Sequence, residues 1–289
     1  MKNFNHFLLT RFNVRLNRDD IGYGSDLGVS PEWLNRRFEL FDKFCYPSVR
    51  VQSNQNFKWI LFCNSLTPDI FKDKLKEYFQ WRNFIPIYVD NFFLETIREN
   101  LLPYITKGTE YLITTTLDND DAISKDYIQL IQDNFQEQKF ELLNFTYGYA
   151  WNTRNGNIYL QGTGNNHFMT LIEEIEGFKT IWIEPHNNYY KLYGKTGVLR
   201  QIRVKPTWLE VVHGGNLYNT VNGIRQPRKN MGDDFSLNVE NIMREENSLL
   251  IWVDQRFNYL KSMKKVRAIR TKIALRTRLR NALRLFKLS

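Results

Sequence analysis

Cysteine is nearly absent from this chain of 289 residues: there are two, Cys45 and Cys63, each among apolar neighbours. Nothing in their spacing demands a disulfide, and buried thiols in a reducing compartment are the expectation. No run of 18 apolar residues occurs, which leaves no candidate membrane-spanning helix. The start, from Met1 to His6, lacks the long apolar stretch of a signal peptide. There is no internal repeat. Acidic residues are missing from residues 261–289, which hold eleven Lys or Arg. The net charge is +9, so the rest of the chain carries about −2 and the basicity belongs to one segment. A nucleic-acid-binding domain would spread positive charge over a working face of the fold. That class is therefore disfavoured.

What is present reads as one well-filled domain over residues 1–255 with a basic tail over 256–289. Aromatics reach 15% and the hydrophobic fraction is 42%. His6–Thr10, Phe57–Cys63, Ile85–Val89 and Tyr111–Leu117 read as buried strands. Between them, Pro31–Phe44 carries a helical rhythm in Trp33, Leu34, Phe38 and Phe41. A helix opens at Thr67-Pro68, with Thr67 as cap, and another passes through the 90s. Ser124 is placed to cap a helix through Ile128, Ile131 and Phe135. This alternation predicts an α/β fold with a doubly wound, mainly parallel sheet. Beyond it, Phe140–Trp151, Asn157–Gly162 and Thr180–Glu184 are strand-like, with one helix near Phe168–Ile175.

The chemistry concentrates at Asp118-Asn119-Asp120-Asp121. Three carboxylates in four residues repel one another unless a cation or solvent compensates. They follow an apolar strand, at the carboxyl edge where open α/β sheets bind ligands. Hard divalent cations take oxygen ligands and share them with phosphates; the plainer alternative is an acidic turn capping the next helix. His213 ends the apolar run Trp208–Val212 and precedes Gly214-Gly215, where the backbone can turn sharply. In a chain with four histidines it is a reasonable imidazole ligand. His186, in Glu184-Pro185-His186-Asn187, could serve as a general base or be an ordinary loop histidine. Gly162-Thr163-Gly164 is a weak phosphate-loop candidate, because no Lys-Ser/Thr follows it. Asn166 can cap the helix after it.

Several segments in order resemble the putative rhamnosyltransferase family of GT-A-type glycosyltransferases. They are Phe7–Asn13, Trp33–Phe41, Pro47-Ser48-Val49 with Gln52, Phe57-Lys58-Trp59, Thr116–Ala122 and Trp208–Asn216. The resemblance covers about residues 7–220 and implies a GT-A-like fold that holds a nucleotide-sugar donor through a divalent metal, Mn or Mg. Asp118 would meet the ribose or the metal, Asp120 would coordinate it, and His213 would be a further ligand. Thr10, Arg11, Phe12 and Asn64 would line the nucleotide pocket, with Asp121 and His186 as catalytic candidates. The acceptor would be a glycan or a lipid-linked glycan. Negative charge builds on the leaving diphosphate, and a metal neutralises it.

The tail places Val266, Ile269, Ile273, Leu279, Leu283 and Phe286 near helical spacing among its cations. A basic amphipathic helix suits an anionic membrane surface. The expected location is cytoplasmic, peripheral on the inner face of a membrane. Two other functions stay open at this point: a phosphohydrolase with an aspartyl nucleophile, and a nucleic-acid-binding protein using the tail. The first usually has its acidic motif after the first strand, and here it follows about the fourth. The second leaves the acidic cluster unexplained.

Overall fold

The apolar run Phe4–Arg11 forms strand β1 in the middle of a seven-stranded sheet. The computed structural model describes residues 3–14, 27–184, 198–215, 221, 223–237, 248–257 and 260. It puts Phe7 and Leu9 in one core layer and Leu8 in the opposite layer. Strand β2 (Lys58–Asn64) divides likewise, Ile60 and Phe62 against Trp59 and Leu61. Side chains alternate along a strand, so a strand apolar on both faces must be covered on both. Strands β3 (Phe84–Val89) and β4 (Tyr111–Thr116) complete a parallel block in the order β3-β2-β1-β4.

Helices cover both faces. Leu34 and Phe38 of α1 (Pro31–Leu40), Val49 of α2 (Tyr46–Arg50), Phe71 and Leu75 of α3 (Asp69–Lys76) fill the first layer. Ile97 and Leu101 of α4 (Leu94–Leu101) fill the second. Helix α5 (Tyr127–Asp133) returns to the first layer through Tyr127, Ile128 and Ile131. Ser30 caps α1 by accepting from the Trp33 N–H, with Pro31 at the first helical position. A single wide turn, Phe41–Cys45, joins α1 to α2.

The other half of the large sheet adds β6 (Phe140–Phe145), β9 (Thr170–Glu174) and β10 (Val198–Ile202) in the order β10-β6-β9-β4. Strand β9 is antiparallel to both neighbours and the other four pairings are parallel, so the sheet is mainly parallel as expected. A second sheet runs β12 (Ile224–Gln226), β8 (Asn157–Gly162), β7 (Tyr147–Asn152), β11 (Trp208–Val212) and β5 (Ala122–Ile123). No helix among the described residues is long and apolar enough to cross a membrane.

Four local expectations are corrected. The helix expected near Phe168–Ile175 is strand β9: its Thr, Leu and Ile sit between two strands, and Glu173 accepts the Lys179 and Thr180 N–H groups that close the following turn. Thr180–Glu184 holds a 3-10 turn, Ile181–Ile183, not a strand. Thr67 does not cap α3: Pro68 stands at the cap, and the Thr67 hydroxyl donates to the Asn64 carbonyl. Ser124 does not cap α5, which starts after Asp126, and its buried hydroxyl finds no partner among the described residues.

Candidate active site

The acidic loop crosses from one sheet to the other. It leaves β4 at the carboxyl edge of the large sheet and enters the two-residue β5, which pairs with β11 through Ala122–Leu209 and Ile123–Trp208. That pairing carries the end of β11, and so His213, back to the loop. Strand β11 is itself positioned by β7, whose Gly148 leaves room for the Trp208 indole. The indole N–H donates to the Phe145 carbonyl and fixes the ring.

Asn119 anchors the loop. Its amide donates to the carbonyls of Arg11 (3.0 Å) and Phe12 (2.5 Å), and its Oδ1 accepts from Arg37 Nη1 at 3.1 Å. The same Nη1 lies 2.7 Å from Asp120 Oδ2. On the other side of that oxygen, His213 Nε2 donates at 2.8 Å. The Gly215 N–H donates to His213 Nδ1 at 3.3 Å, which selects the Nε2–H form of the ring. Arg36 reaches the His213 carbonyl at 3.3 Å. Two successive arginines of α1 thus touch both halves of the site.

Asp121 faces the opposite way. Its Oδ1 accepts from the Val211 N–H at 2.8 Å, and its Oδ2 accepts from His167 Nε2 at 2.7 Å. The ligand atoms of Asp118, Asp121 and His167 all lie within 4.8 Å of one another, one three-donor group that could hold a metal ion. The acidic trio expected from sequence is therefore split: Asp118 groups with Asp121 and His167, while Asp120 pairs with His213. Neither His167 nor Arg37 was assigned a role from the sequence. His167 carries no local signal in Asn165-Asn166-His167-Phe168, and Arg37 stands inside the Trp33–Phe41 block with nothing to mark it.

The two neighbouring carboxyls are shifted in opposite directions. Burial alone would raise the Asp120 pKa, but the His213 hydrogen bond and the Arg37 charge outweigh it and hold it at about 2. For Asp121 burial wins over the His167 hydrogen bond, the Asp120 and Asp118 charges add to it, and the value rises to about 7. Burial would lower His167, yet the hydrogen bond and charge of Asp121 lift it to about 9. Cys45, beneath the loop with its Sγ 3.5 Å from the Asp118 carbonyl, has its thiol pushed up by burial and by the three acidic charges. That environment makes it unreactive. Both cysteines are buried and free. His6 lies outside the site, and burial lowers its pKa to about 3.

The remaining sequence candidates are placed as follows. Thr10 is fully buried and accepts from Trp59 Nε1 at 2.9 Å; Phe12 packs on Phe38 and Phe41. Arg11 is half-buried at the end of β1. The Asn64 N–H donates to Asn13 Oδ1, tying the ends of β1 and β2 together. Gly162 ends β8, Gly164 accepts from Gln201, and Asn166 precedes a strand rather than a helix. His186 falls outside the described residues. Two cavities open at the other edge of the large sheet, between Asn5, Asn56 and Thr106, away from this cluster.

Comparison with solved structures finds distant likenesses. One is 4-diphosphocytidyl-2C-methyl-D-erythritol synthase from Anaerococcus prevotii DSM 20548, at 11% identity over 88% of this chain and 95% of that one, TM-score 0.36. Another is a putative nucleotide-diphospho-sugar transferase from Desulfovibrio desulfuricans G20, at 9% over 89% and 99%, TM-score 0.40. A third is TarS 1-349 of S. aureus in complex with UDP, at 11% over 72% and 60%, TM-score 0.41. No curated protein matches. The family model described as putative rhamnosyl transferase matches residues 5–223, about three-quarters of the length, and the chain belongs to that family.

Proposed function

We propose that the protein transfers a sugar from a nucleoside-diphosphate sugar to a glycan or lipid-linked acceptor, with a divalent cation, Mn or Mg, at the acidic loop. Family membership supports the reaction class. One observation carries the site: His213 Nε2 stands 2.8 Å from Asp120 Oδ2 across 93 positions of sequence. Carboxylate oxygen and imidazole nitrogen are a donor set that accepts such an ion. Two adjacent ligands with bonds of about 2.1 Å lie roughly 3 Å apart, close to the separation here. When bound, the cation would neutralise charge developing on the leaving diphosphate.

The chain's own residues do the rest. Asp120 is ionised at neutral pH and needs no deprotonation to act as a ligand. Ligation through His213 Nε2 would leave the ring proton on Nδ1, and the Gly215 N–H that donates there would have to turn away. The Gly214-Gly215 turn, with Gly214 at φ +84°, gives it room to do so. Asn119 holds the loop against the Arg11 and Phe12 carbonyls, where the nucleotide would lie beside Arg11. Thr10 acts there through position, its hydroxyl being taken by Trp59. Asp118, half-buried on the same loop, would be a further ligand.

A second placement of the cation is favoured by the Asp118, Asp121 and His167 group. The reading as a whole is tested by incubating the protein with a panel of nucleotide sugars and measuring release of nucleoside diphosphate. Release from one donor with Mn2+, lost in chelator and in Asp118→Asn, is expected. Release that persists undiminished in chelator contradicts the metal-dependent mechanism.

A further inference from the structure

The last described segment is a helix mounted with its apolar side outward. Residues 248–257 are helical. One face meets the body: Ile251 is 5% exposed, Asp254 Oδ2 pairs with Arg225 Nη1 of β12 at 2.5 Å, and Gln255 Nε2 donates to the Arg225 carbonyl at 2.9 Å. The opposite face carries Leu249, Val253 and Phe257, spaced by four, with Leu260 three residues on. Positions three and four apart share one side of a helix. All of these are exposed, Phe257 to 72%, and Leu250 and Trp252 flank them, also exposed. A helix that only capped the domain would turn this stripe inward and its polar residues outward.

We propose that this outward face docks into the headgroup boundary of an anionic bilayer, with the helix lying flat in that plane. Charge complementarity selects this occupant. The outward face begins three residues after the last acidic side chain before it, Glu246, and Asp254 is turned to the body. Arg256 lies beside the stripe, over the Trp252 ring at 5.3 Å, and eleven cations with no acidic residue follow from 261. Trp and Phe on one side with Lys and Arg beside them is the composition of an interfacial helix, and the cations add attraction to anionic lipid. The opposing pull of a second protein copy is weaker: this stripe offers no acidic group to receive another copy's cations. The inference stands apart from sugar transfer, because membrane attachment is measured without donor or acceptor.

The test is co-sedimentation of the full chain with vesicles of pure phosphatidylcholine and of phosphatidylcholine with 30% phosphatidylserine. Binding to the anionic vesicles is expected, at least tenfold above the neutral ones. Phe257→Glu and, separately, Leu249→Glu should each reduce it about tenfold, the scale of one buried apolar side chain. Ile70→Glu, on an equally exposed apolar residue of α3, should leave it unchanged. Both outward positions are solvent-facing, so melting temperatures should match the wild type; two variants guard against one misfolding. Equal binding to neutral vesicles, or unchanged binding in both Glu variants, overturns the proposal. So does a lipid-free dimer, seen by sedimentation velocity, that Phe257→Glu dissolves.

Discussion

His167 and Asp121 are joined by a 2.7 Å hydrogen bond from Nε2 to Oδ2, and the second Asp121 oxygen is held by the Val211 N–H. One buried carboxylate therefore ties the segment before β9 to strand β11 and to the acidic loop. This knot, beside the Asp120–His213 pair, makes the loop a junction of three parts of the chain.

The pH dependence of stability follows from that pair. His167 has a folded pKa of about 9 against an ordinary 6.5, so its contribution is complete below 6.5 and is lost as the pH rises through 9. Asp121 has a folded value of about 7 against 3.8, so charging it costs stability between those values and adds no further slope above. In chelator, the melting temperature of the wild type should fall between pH 6.5 and 9. His167→Gln should show a flatter curve over that window, and parallel curves would contradict the assignment.

The two histidines separate the two cation placements. If Asp120 and His213 hold the ion, His213→Ala should weaken Mn2+ binding by about tenfold or more in calorimetric titration, the scale of losing support around a metal. His167→Ala should then cost less. The reverse order would move the ion to Asp118, Asp121 and His167.

Arg37 competes with any cation for Asp120 Oδ2, from 2.7 Å. Arg37→Ala removes a neighbouring positive charge, so Mn2+ should bind about tenfold more tightly, by the size of charge repulsion at such distances. The melting temperature should drop at the same time, because Asn119 and Asp120 lose a partner. Weaker Mn2+ binding in this variant would show that Arg37 organises the site rather than competing for it.

Gly148 is a packing requirement of the site. A methyl group there would stand 2.0 Å from Cδ2 of the Trp208 indole, which is buried and bonded to Phe145. Overpacking of this kind costs about 1–3 kcal/mol. Gly148→Ala should lower the midpoint of denaturant unfolding accordingly. It should also lower donor turnover, since β11 carries His213.

Much of this was legible in the sequence. The strand ending at Leu117 and the acids after it are adjacent in the chain, and a parallel sheet puts that edge on the ligand side. His213 was marked by its own strand and glycine pair. What escaped were contacts that only topology creates. His167 meets Asp121 because β9 inserts between β4 and β6, and Thr170–Glu174 has an apolar pattern that suits a short helix or a buried strand alike. The sequence also leaves no sign that the acidic loop is buried, yet Asp120 is 7% exposed. Closure by β5 and β11 buries it, and the pairing of Ala122-Ile123 with Trp208-Leu209, so far apart in the chain, leaves no local trace.

The most direct test of a cation-held donor site is thermal stabilisation by nucleotide sugars with and without metal. Ligand binding to the native state raises stability by about 2.7 kcal/mol at 100 times the dissociation constant. One nucleoside-diphosphate sugar should raise the melting temperature of the wild type by several degrees in Mn2+. It should do so far less in chelator, and not at all in Asp120→Asn. An equal rise in chelator and in Asp120→Asn, or no rise with any donor, would contradict the account.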